Sequence, residues 1–116
     1  MEDSSILDDI KKLLGIESSF THFDTDILIH INSVFDTLFQ LGVGPKEEPF
    51  HVVNRNVMWS EFLGDKKTID SVKTYIYLKV KLLFDPPMSS VVMESYKQLI
   101  QEYEWRLNVT DDNPIS

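Results

Sequence analysis

The sequence predicts an all-α fold: a small bundle of four main helices with a short one-turn helix, an extended 45–58 segment and a flexible C-terminal tail. Three observations carry this expectation. Apolar residues recur at spacings of three and four in long stretches. Caps, glycines and prolines divide those stretches. The apolar run Phe50-His51-Val52-Val53 lacks helical spacing and is too short to make a sheet by itself. At 116 residues the chain fits one domain, expected as a helical body over 1–107 and an acidic tail over 108–116.

The first helix is read from "SSILDDIKKLLG". Ser4 or Ser5 serves as N-cap, Asp8 and Asp9 stand near the positive end of the dipole, and Lys11 and Lys12 stand near its negative end. Ile6, Leu7, Ile10, Leu13 and Leu14 form its apolar stripe, and Gly15 ends it in the left-handed conformation. Asp24 is expected to cap the second helix, with Asp26 in its first turn. Ile27, Ile31, Val34, Leu38 and Leu41 recur along it, and Leu28, Phe35 and Phe39 widen the stripe, so this helix is expected at the centre of the bundle. It ends at Gly42–Pro45.

The 45–58 segment carries Pro45 and Pro49 around the short apolar run and reads as a strand or an extended loop. A lone strand leaves its backbone unpaired, and pairing with another copy is one solution. "WSEFLGD" then gives a single helical turn bearing Trp59, Phe62 and Leu63. The third main helix starts near Thr68. Ile69, Val72, Ile76, Val80 and Leu83 make its core line, Tyr75, Leu78, Leu82 and Phe84 broaden it, and Lys73, Lys79 and Lys81 mark the wet face. Asp85, Pro86 and Pro87 form a structural corner, because proline disfavours helix in the residue before it and has no N–H. Ser89 or Ser90 caps the last helix, whose stripe is Val92, Tyr96, Leu99, Tyr103 and Leu107. So short a connection predicts an antiparallel hairpin.

Acidic residues outnumber basic ones, 19 to 11, for a formal net charge of −8. Holding a phosphate backbone needs clustered Lys and Arg, so tight nucleic-acid binding is excluded. With no cysteine there is no disulfide framework and no thiolate site. The N-terminus lacks the basic start and apolar run of a secretion signal, and no run approaches the ~18 apolar residues that span a bilayer. A soluble protein made in the cytoplasm is expected, with no membrane partner.

Catalytic chemistry is not supported. His22, Asp24, Asp26 and His30 come nearest to a metal cluster, but Asp24 is better used as a cap and no zinc-binding pattern is present. "GVGP" ends a helix, the wrong polarity for a phosphate. Glu102 and Glu104, two apart, fall on different helix faces, as do Tyr75 and Tyr77. No enzyme, metal or cofactor is expected. Trp59, Phe62 and Tyr103 commonly end in a core. Trp105 lies off the apolar stripe, and with Arg106 it reads as a contact patch, since Trp, Tyr and Arg are favoured at binding hot spots.

Taken together, "FDTDILIHINSVFDTLFQLGVGP", the Trp of "WSEFLGD", "TYIYLKVKLLFDPPMSS" and "EYEWRLNV" resemble the head–tail connector proteins of long-tailed bacteriophages, also called head-completion or head–tail adaptor proteins. The likeness runs from about Ser5 to Val109. The resemblance implies a virion protein without catalysis. It implies a ring of copies under the portal that extends the DNA channel, lets DNA pass without specific binding, and docks a tail-completion or stopper protein. It further implies a subunit or partner interface drawn from Phe50, Val52, Trp59, Phe62, Tyr103, Trp105 and Arg106, and a portal-docking tail with Asn108, Val109, Asp111, Asp112 and Ile115. Asp8, Asp9, Glu47 and Glu48 are candidate lumen acids, which would repel DNA and let it slide. The alternative is an acidic regulator or DNA-mimic inhibitor of a phage or host enzyme. A mimic needs acids at regular spacing on one face, whereas here they sit at caps, in loops and in the tail.

Overall fold

The computed structural model describes residues 3–63 and 66–112, except for the side chains of Lys66 and of 109–112. Its helices are α1 (Ile6–Leu13), α2 (Asp24–Gln40), α3 (Trp59–Phe62), α4 (Lys66–Phe84) and α5 (Ser90–Asp112). Among the described residues there is no strand, only a single antiparallel bridge between Ser5 and Met58.

α4 is the hub, packing against α1, α2 and α5, while α2 packs against α1 and α4. α2 is packed on more than one side, as its wide apolar stripe predicts, and α4 shares the centre with it. Val72, Tyr75, Ile76 and Val80 of α4 are completely buried, which fits a helix with neighbours on several sides. Lys73, Lys79 and Lys81 are partly covered rather than fully wet, and each pairs with a carboxylate: Asp9, Glu104 and Asp85.

One of the expected caps is not formed. Ser5 does cap α1, its hydroxyl accepting from the Asp8 N–H at 3.2 Å. Asp24, however, is the first residue of α2, and the flanking Phe23 supplies no side-chain cap. The Asp24 carboxylate instead meets Lys11 Nζ at 2.7 Å. Lys11 is buried, and its ammonium also donates to Ser18 O at 3.1 Å and Phe20 O at 2.7 Å. Leu13, expected in the core, is turned outward. Three oxygens converge on Lys11 from the 16–24 connection, which answers its desolvation and fixes that loop.

Val52 and Val57 of the 45–58 segment are paired within the protomer. Asn32 of α2 works as a substitute strand, its Nδ2 donating to Val52 O at 3.0 Å and its Oδ1 accepting from the Val52 N–H at 2.7 Å. Farther along, the Ile6 N–H donates to Val57 O and the Trp59 N–H to Ser4 O, both at 3.1 Å. Pairing with another copy is not needed to close the backbone at these residues.

The corner joins α4 to α5 as an antiparallel hairpin. The Asp85 N–H closes the last turn of α4 on Lys81 O at 2.9 Å, and Ser89 Oγ accepts from the Val92 N–H at 3.3 Å to start α5. Against α4, the buried line of α5 is Ile100 and Leu107, with Tyr96 and Tyr103 half-buried. Val92 and Leu99, expected in the core, are exposed, because α5 packs mainly against α4. α5 continues to Asp112, so residues 108–112 of the expected tail are helical, and 113–116 lie outside the described residues.

Candidate interaction surface

The residues singled out in the sequence divide into a bracket, a core cluster and an outer face. The bracket forms where the start of α1 meets α3. Asp9 Oδ2 accepts from Ser4 Oγ at 2.5 Å and from the Trp59 indole N–H at 2.7 Å, and lies 3.4 Å from Lys73 Nζ. The same ammonium stands over the Trp59 ring, 5.3 Å from its centroid. Asp8 pairs with Arg55 at 3.2 Å. Asp3 accepts from the Ser60 hydroxyl, and that bond holds the Asp3 carboxyl below its usual value. Asp8 and Asp9 are thus engaged inside the protomer. Glu47 and Glu48 are the exposed members of the expected acid set.

Several expected interface residues lie in the core. Trp59 and Phe62 are 3% and 4% exposed, and Val52 is completely buried. Phe50 and Phe62 pack with Phe35 as mutually tilted rings, with centroids 4.8 to 5.3 Å apart. Gly44 backs this cluster with φ +92°, and a Cβ there would overlap the Phe62 ring. A hydrophobic side chain shielded by its own protomer offers nothing to a partner. Val52, Trp59 and Phe62 are thus core residues of the protomer, the commonest fate of large apolar side chains, while Phe50 is half-buried against them.

The outer face of α5 keeps the character read from its sequence. Trp105 is 68% exposed, the Arg106 guanidinium lies 5.5 Å from the Tyr103 ring centroid, and Arg106 pairs with Glu102 one turn back. Between this face and α4, Tyr77 carries a hydroxyl pushed up to about 12, by burial first and then by its bond to Tyr96. Tyr75, on the inner side, has its hydroxyl raised by burial first and then by the bond it donates to Glu104 Oε2 at 2.7 Å. Sequence reasoning missed the lysine anchor at Lys11 and the amide clamp at Asn32. A lysine and an asparagine at helix positions carry no periodic signal of burial.

Expected tail residue Asn108 is tied down, its amide donating to Leu41 O at 3.2 Å. The side chains of Val109, Asp111 and Asp112, and all of Ile115, lie outside the described residues. His22 packs against Phe20 and Phe23, and Asp24 is occupied by Lys11. Among the described residues no three His, Asp or Glu side chains gather as a metal site, and no helix is long and apolar enough to cross a membrane.

The model of the family described as phage connector protein covers residues 6–114. No curated protein and no solved structure matches the chain.

Proposed function

This chain belongs to the phage connector protein family, and from that membership we propose that it is the head–tail adaptor that assembles as a ring under the portal. Membership places it among structural proteins of the virion that contact portal or tail components. The finer reading is that the ring extends the DNA channel and docks the tail or a stopper protein. The observation that carries it is the match over residues 6–114, nearly the whole helical body. The exposed Trp105–Arg106 face supports it as a hot-spot surface, and exposed Glu47 and Glu48 support an acidic wall that DNA slides past. The segment after Asn108 is read as an arm leaving the bundle toward a neighbouring protein.

The acids argue against the alternative of a DNA mimic. Asp3, Asp8, Asp9 and Asp24 serve internal contacts, so they do not form a phosphate-like row.

The test is to mix the purified protein with its portal and examine both by negative-stain microscopy and native mass. Closed rings seated on the portal are the expected result. A chain that remains monomeric and indifferent to the portal would overturn the adaptor reading. For the acids, Glu47→Lys with Glu48→Lys is expected to leave the fold intact and slow DNA passage. Unchanged retention and ejection would remove these residues from the channel wall.

A further inference from the structure

α2 and α5 run in the same direction along α4 and are joined near one end, where Asn108 bonds Leu41 O. Toward the other end they part, and a groove of about 430 Å³ opens between them. Leu82, Leu83 and Ile100 supply its apolar surface, and Lys79, Lys97 and Ser33 its polar rim. That volume suits a few side chains and is too small for a whole helix.

Its cations are underused. Lys97 makes no hydrogen bond or ion pair among the described residues. Lys79 lies over the Tyr75 ring, 5.7 Å from its centroid, and its one ion pair is a 3.8 Å contact with Glu104, a carboxylate already engaged by Tyr75. In a chain of net charge −8, two lysines beside apolar surface select an acidic occupant with an apolar anchor. Asp36, one turn beyond Ser33 on the α2 bank, would hold that occupant against the α4–α5 bank.

We propose that the groove receives the acidic C-terminal segment of a second copy of this chain. Asp111 and Asp112 approach Lys97 and Lys79, and Ile115 rests on Leu83 and Ile100. The segment's own groove is out of reach. Asp112 lies eleven residues past Gln101 on α5, so it is about 16 Å farther along the helix. Ile115, three residues on, extends at most about 10 Å from there and would have to double back. The contact is heterologous, with a groove on one copy and an arm from the next, the type that propagates into rings. It rests on the reading that copies sit side by side, and it names the arm's neighbour as a second copy rather than the portal.

The test uses the full chain. A peptide of residues 109–116 titrated into the labelled protein is expected to shift the NMR amide signals of Leu83, Lys97 and Gln101. Lys97→Glu is expected to weaken that binding about tenfold, the effect of ~1.4 kcal/mol. Self-association by sedimentation should fall in Lys97→Glu and, separately, in the Asp111→Lys, Asp112→Lys double variant. Mixing the two variants should restore it, because a basic arm then meets an acidic groove. No shift at those amides with millimolar peptide, or equal binding by Lys97→Glu, would overturn the proposal. If the native chain stays monomeric in sedimentation, the peptide result decides alone. Rings that form on the portal equally well from Lys97→Glu would remove this contact and leave the adaptor reading standing. Peptide bound in the groove by a chain that ignores the portal would do the reverse.

Discussion

Lys11 illustrates how one residue holds a loop. Its ammonium is buried against two carbonyls and the Asp24 carboxylate, so Lys11→Met strands all three oxygens. Because Asp24 keeps some access to water, the expected loss is about 2–3 kcal/mol, at or below the low end for a broken buried pair. Urea unfolding checks this, with the exposed neighbour changed, Lys12→Met, expected to stay within ~0.5 kcal/mol. Two glycines give a matched contrast. Gly15 and Gly44 both have positive φ, but only Gly44 faces a ring, that of Phe62. Gly15→Ala is expected to cost about 1 kcal/mol, the left-handed penalty alone. Gly44→Ala adds overpacking and should cost about 2–4 kcal/mol in the same measurement. Tyr77 provides the pH dependence. Its hydroxyl is held protonated in the fold up to about 12, against an ordinary value near 10. Above pH ~10 the unfolded chain therefore binds fewer protons than the native one, and stability falls as pH rises to about 12. Tyr77→Phe should lessen the fall of the urea midpoint over that window, and the fall that remains belongs to Tyr75, whose buried hydroxyl is also raised. Of these residues, Gly15 was readable from the sequence as a helix stop. Lys11 was not, because burying a lysine depends on carbonyls that only the folded loop supplies.

At the scale of elements, most of the helical order is legible because spacing, caps and prolines agree with one another. The corner at Asp85–Pro87 and the one-turn helix at Trp59 stand where the pattern puts them. The errors have a common cause: periodicity reports which face is apolar and says nothing of how many neighbours a helix has. α4 and α2 both read as apolar on a wide arc, and the topology makes α4 the hub. α5 carries a full stripe but packs mainly on α4, so Ile100 and Leu107 are covered while Val92 and Leu99 are not. Ile100→Ala is accordingly expected to cost about 2–4 kcal/mol, and Leu99→Ala under ~1 kcal/mol, with thermal unfolding as the check. Equal losses at both positions would mean that α5 is rotated from this arrangement.

For the molecule as a whole, the sequence makes the family and the outer α5 face legible, but it misassigns the aromatic residues of 50–62. Phe50, Trp59 and Phe62 stand among the expected interface residues although such side chains commonly end in a core, and the groups that hold their segment against the bundle, Asn32 and the start of α1, are far away in the chain. The two tryptophans turn this into a measurement. Trp59 is 3% exposed and Trp105 68% exposed, so iodide should quench only Trp105 in the free protein. Addition of portal should protect it, and Trp105→Phe should abolish the quenchable signal; continued quenching in the assembled state would exclude the α5 face from the contact. The Asn32 clamp has its own consequence at this scale. An extended stretch whose hydrogen bonds are answered from inside cannot template the same stretch in another chain. At Val52 the backbone therefore offers another copy no rung to add to, and contact between copies there is left to side-chain surfaces.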